Sequence, residues 1–141
     1  MTKDSILARV FENRYRLISA YNFSCKETAA NCAFNLTNHA ITKKYIDSRD
    51  AVPGATLRKW AEKRNPPLWA CKSAADILLK SGAEARSKMD KYLLVYFFLL
   101  NNDFTDSSDA IHALPSSIND PDDLALVQSF FNANIFQPSH N

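Results

Sequence analysis

Glycine is almost absent from this chain: only Gly54 and Gly82 occur in 141 residues. A chain so poor in glycine has little means of making Asn-Gly hairpins, a glycine-rich phosphate loop or a dinucleotide fingerprint. Helices use glycine mainly at their ends, where a left-handed residue is useful. The fold class that follows is all-α: one domain over residues 1–141, with about six to seven helices.

Apolar spacing places the helices. Ile6, Val10, Leu17, Ile18 and Tyr21 form a stripe that predicts a first helix from about Ser5 to Tyr21. Arg9, Arg14 and Arg16 fall off that stripe and read as solvated. Ser24-Cys25-Lys26-Glu27 has the form of a capping box and predicts a second helix reaching Ile46 to Ser48. A tight turn at Ala51 to Pro53 then opens a short helix over about 53–64, and Asn65-Pro66-Pro67 stops it. Leu68 to Ser81 reads as the next helix, with Gly82 as the left-handed residue after its end. Ser87 starts a helix that carries the unbroken apolar run Tyr92 to Leu100. A short helix follows from Asp106 to Ala113. Asp120-Pro121-Asp122-Asp123 marks the start of a last helix ending near Asn132. The tail from Gln137 is expected to fray.

A helix apolar on all sides is either central to a fold or shared with another subunit. Tyr92, Tyr96, Phe97 and Leu100 are therefore candidate oligomer contacts, and a fully buried central helix is the competing reading. Nine apolar residues fall short of the roughly twenty needed to cross a membrane. The N-terminus lacks the apolar stretch of a secretory signal. Cys25, Cys32 and Cys71 show no CxxC spacing. Cys25 and Cys32, seven apart on one predicted helix, read as too far apart to bond. A reduced, cytoplasmic protein is the expectation.

Charge is unevenly spread. Residues 1–64 hold 12 of the 17 Lys and Arg but 6 of the 15 acids, a balance of +6. Residues 65–141 carry −4, from 5 bases and 9 acids. A basic, DNA-facing part joined to an acidic part for packing and oligomerisation fits this division.

The helix over 53–64 then reads as the second, recognition helix of a helix-turn-helix. Ile46, Val52, Leu57 and Trp60 fit its apolar positions, and Val52-Pro53-x-x-Thr56-Leu57-x-x-Trp60 is close to a pattern of bacterial regulators. The groove-facing positions are Pro53, Gly54, Ala55, Arg58 and Lys59, with Arg58 able to offer guanine a bidentate donor pair. Lys43, Lys44, Arg49, Lys59, Lys63 and Arg64 are the candidate phosphate contacts, with Thr56 near the helix start. Asp47 and Asp50 depart from the pattern, which puts a small and an apolar residue there.

The stretch from Leu57 to Pro67 (LRKWAEKRNPP), with the turn at Val52-Pro53 before it, resembles the C subunit of the flagellar master transcriptional activator. Ala75 to Gly82 (ADILLKSG) and the Tyr- and Leu-rich helix from Lys91 extend the likeness over about Ile41 to Leu100. Related conjugative-element activators share that superfamily. The resemblance implies an activator that binds DNA in a hetero-oligomer with a D-type partner. It does not extend to the family's four-cysteine zinc site, since no cysteine follows Cys71.

Double-stranded DNA and a homo- or hetero-oligomeric partner are thus the expected ligands. No cofactor, metal or small-molecule substrate is expected. His39, His112 and His140 are scattered, and the acids at 120–123 are accounted for as a helix start, so catalysis is not expected. The rival reading is a non-catalytic helical interaction module such as an adaptor, chaperone-like or immunity protein.

Overall fold

The computed structural model describes residues 3–119 and 123–132. Among them are eight helices and no strand: α1 (Lys3–Glu12), α2 (Tyr15–Ser24), α3 (Ala29–Thr42), α4 (Gly54–Lys63), α5 (Leu68–Lys80), α6 (Lys88–Asn101), α7 (Ser107–Ala113) and α8 (Asp123–Asn132). The all-α expectation holds. The helix start predicted at Asp120 to Asp122 and the tail from Gln137 lie outside the described residues.

α6 and α7 fall where the sequence puts them, and a side-chain cap opens each. Ser87 accepts from the Asp90 amide at 3.1 Å and opens α6, and Asp106 accepts from the Asp109 amide at 2.9 Å and opens α7. Each cap pairs an otherwise unbonded first-turn N–H, worth about 1 kcal/mol. The predicted capping box at Ser24 is not used. Ser24 ends α2, its hydroxyl donating to the Tyr21 carbonyl, and Thr28 caps α3 instead by accepting from the Asn31 amide at 3.1 Å.

The single helix predicted over 5–21 is broken at Asn13-Arg14. The Asn13 amide side chain donates to the Arg9 carbonyl at 2.7 Å, and the backbone bonds of Arg14, Arg16 and Leu17 run to the residue three back. The chain tightens there into a bend. Arg16, expected in solvent, donates to Asp90 at 2.8 Å and ties α2 to the first turn of α6. That hydrogen bond and the charge of Asp90 raise the pKa of the guanidinium.

The break after α2 also corrects the cysteine reading. Cys25 follows the end of α2 and Cys32 lies in the first turn of α3, so their Cα atoms stand 6.1 Å apart and a disulfide joins them. Seven residues along one continuous helix would separate them by about 10 Å. Cys71 is free and buried.

The second helix was expected to run to Ile46 or beyond but stops at Thr42. Tyr45 donates its amide to the Ala40 carbonyl and Lys44 donates to Ile41, with Lys44 left-handed at φ 64. This pair of bonds is the Schellman stop. It recurs after α4, where Arg64 is left-handed at φ 57, and after α5, where Gly82 is left-handed at φ 75. Only the last uses glycine. A left-handed non-glycine residue costs about 1 kcal/mol. Lys44→Gly is therefore expected to raise the urea midpoint by an amount equivalent to about 0.5–1 kcal/mol. An unchanged or lower midpoint would count against strain at this residue.

α6 is central. It packs against α1, α2, α5 and α8. Leu93, Val95, Phe97 and Leu99 are fully buried. The oligomer reading of Phe97 is thereby corrected, because its ring is enclosed by the chain's own core. Tyr96 packs edge-on against Phe97 and Phe130, at 5.1 and 5.5 Å between centroids. Tyr92 and Leu100 are half-buried against the same core. Most of the apolar surface of this helix is used within the chain. No helix among the described residues is long and apolar enough to cross a membrane.

Candidate nucleic-acid interface

α4 is amphipathic in the simplest way. Leu57 is fully buried and Trp60 half-buried, its ring meeting Trp69 edge-on at 5.7 Å. At 3.6 residues per turn, Ala55, Arg58, Lys59, Glu62 and Lys63 fall within one arc on the opposite side. All five are exposed. Arg58 and Glu62 pair at 3.9 Å across one turn, both largely in solvent, so the contact is weak. Arg64 stacks its guanidinium over Tyr15 at 5.0 Å.

Pro53 takes the cap position rather than the first helical one. Thr56 is half-buried, and its amide donates to the Pro53 carbonyl at 3.0 Å. Gly54 does not face a groove. A Cβ built on it would stand 2.8 Å from the Ala29 carbonyl carbon and from the Ala30 nitrogen. Its role is to let the start of α4 touch the start of α3.

That contact corrects the turn. α3 and α4 are joined by residues 43–53, well beyond the three or four residues of a helix-turn-helix turn. The connection runs back along α3. Val52 is buried and its amide reaches Thr37 Oγ1 at 3.4 Å, halfway down the helix. Asp47 and Asp50 sit exposed in this connection, which is why they need not match helix positions. Lys43, Lys44 and Arg49 are exposed there too. Arg49 lies over Trp69 at 5.8 Å and donates from Nε to the Asp50 carbonyl at 2.9 Å.

What fixes this connection is a polar cluster centred on Asp76 of α5. Its Oδ2 faces His39 Nε2 of α3 at 2.9 Å and accepts a hydrogen bond from the Tyr45 hydroxyl. Its Oδ1 accepts from Asn101 Nδ2 of α6 at 2.8 Å, and the same nitrogen donates to the Lys72 carbonyl at 3.0 Å. Lys72 Nζ sits 4.4 Å over the Tyr45 ring. Burial, then the Asp76 bond and charge, push the Tyr45 hydroxyl far above its ordinary pKa. Burial lowers that of Lys72 against the opposing pull of Asp76. With both carboxylate oxygens engaged, the arrangement is suited to tethering rather than to taking protons from a substrate.

Spacing alone misses this cluster, because His39, Tyr45 and Asn101 lie 25 to 37 residues from Asp76. Among the described residues no group of three or more His, Cys, Asp or Glu could hold a metal ion. Compared with models of known families, with characterised proteins and with solved structures, the chain matches none.

Proposed function

We propose that this chain binds double-stranded DNA through the exposed face of α4 and acts as a transcription regulator, an activator working in an oligomer. The observation that carries this reading is the set of cations around α4. Arg58, Lys59 and Lys63 point outward from the helix, Arg64 follows it directly, Arg49 lies over Trp69, which meets Trp60 of α4, and Lys43 and Lys44 are exposed at the far end of the connection before it. The reading does not need a tight turn, because the major groove admits a single α-helix. Arg58 would address bases, and the remaining cations would neutralise phosphates. The likeness to the flagellar activator C subunit supports the same direction and adds a D-type partner.

The expected result is affinity for DNA that falls steeply with salt, since each phosphate contact releases counterions. Lys59→Ala with Lys63→Ala is expected to reduce the slope of log affinity against log salt by about 2. Arg58→Ala should narrow the gap between specific and random DNA. Unchanged slopes would remove α4 from the interface. The second reading, an interaction module, draws on the exposed rings of Phe11, Phe23 and Phe34 and on exposed Leu68. Absence of DNA binding at low salt, with and without a partner, would favour it.

A further inference from the structure

Beside α4 the surface changes from lysine-studded to aromatic. Three arginines are held over rings: Arg14 over Phe11 at 4.1 Å, Arg64 over Tyr15 at 5.0 Å, and Arg49 over Trp69 at 5.8 Å. The pairs come from separate parts of the chain but are joined by contacts. Arg14 Nε donates to the Pro66 carbonyl at 3.0 Å, which binds the α1–α2 bend to the turn between α4 and α5. Trp69 follows that turn and meets Trp60 of α4. Phe11 is 49 % exposed and so is not spent on the core.

We infer that this aromatic–arginine belt holds a single strand of nucleic acid, with phosphates on the exposed Arg49 and Arg64 guanidiniums and unpaired bases on the rings of Phe11 and Tyr15, while Arg14, which donates to the Pro66 and Phe11 carbonyls, and Trp69, packed on the core, hold the belt in place. The inference rests on reading the adjoining α4 face as a phosphate-binding surface. Two observations separate a single strand from a duplex here. A duplex keeps its base faces stacked inward, so it offers the rings nothing, whereas every unpaired base has a face that stacks on an aromatic side chain. All three cations on the belt are arginines, whose planar heads can also stack on bases, which a lysine head cannot. The belt is continuous with α4 through Arg64 and Trp60, so one strand could run from one surface to the other.

The test uses the full chain, a labelled oligothymidylate of about 16 nucleotides and a duplex of the same length. Oligouridylate is run in parallel, and the tighter of the two single strands names the sugar. Tighter binding of the single strand than of the duplex is expected, with quenching of tryptophan fluorescence. Phe11→Ala is expected to weaken single-strand binding about tenfold and leave duplex binding unchanged. Arg49→Lys keeps the charge and loses the plane, and it should weaken the single strand several-fold with the salt slope preserved. Both side chains are exposed, so the fold is not at risk. Duplex preference, or single-strand affinity indifferent to both substitutions, overturns the belt and leaves the α4 duplex reading standing. Failure of both nucleic acids to bind overturns the two together.

Discussion

Gly54→Ala is expected to lower stability by about 3 kcal/mol, although alanine is the better helix former. Helix propensity favours the substitution by at most about 1 kcal/mol, and less at a helix start. Against it stands the approach of α4 to α3. The new methyl would lie 2.8 Å from two backbone atoms of Ala29 and Ala30 and 2.9 Å from the Ala29 Cβ. A side chain can rotate away from such a contact, but the backbone of a helix start has to be pushed. The two helices would separate, and buried Leu57 and Val52 would be opened to water. Urea unfolding measures the loss directly. Adding Ala29→Gly to Gly54→Ala should recover little, because the backbone contacts remain. A Gly54→Ala protein as stable as the parent, or one restored by Ala29→Gly, would show that the approach is looser than described.

Asp76→Ala is expected to cost about 3 kcal/mol. It removes an acceptor from His39, Tyr45 and Asn101 at once. Hydrogen bonds to a charged group are worth about 1.5–3 kcal/mol each. Partial exposure of the cluster, at 25 % for the His39 side chain and 16 % for Asp76, reduces the sum, since water can reach some of the abandoned groups. Asp76→Asn keeps one acceptor and should cost less than half as much. The cluster also tethers the 43–53 connection, so Asp76→Ala should speed proteolytic cutting near Arg49. A loss under about 1 kcal/mol with no change in cutting would show that the connection is held elsewhere.

Both positions show what can be read from a sequence and what cannot. α5, α6 and α7 were legible to within a residue or so, because their signals are local. Ser87 and Asp106 cap the residues right after them, and Gly82 supplies the left-handed stop after Lys80. α3 departs from its sequence signals at both ends. Its stop uses Lys44 in a left-handed conformation that carries no glycine to announce it, and its start uses Thr28 where Ser24 and Glu27 offered a better-looking box. The α1–α2 break has no proline or glycine either; it rests on the Asn13 side chain and on tightened backbone bonds. For the candidate interface, the exposed Arg58, Lys59 and Lys63 followed from helical periodicity. Gly54 did not, because its neighbour across the gap is Ala29, which only tertiary structure brings near. The Arg49–Trp69 and Arg64–Tyr15 pairs were beyond reach for the same reason.

The interleaving of the helices has a consequence for how this chain can be taken apart. α2 lies against α4, α5 and α6, and α3 lies against α4 and α5. Leu17, Ile18 and Leu57 therefore share one apolar cluster with Ala70, Ala74, Leu93 and Phe97. The positive and negative halves of the sequence are halves of the charge map, with no seam between them in the interior. A fragment cut after Arg64 would keep α2 and α3 beside α4 but lose α5, against which both of them lie, and would leave Trp60 without Trp69. The basic face is in that sense not portable. It cannot be grafted as a cassette onto another protein, and truncation is the wrong instrument for mapping it.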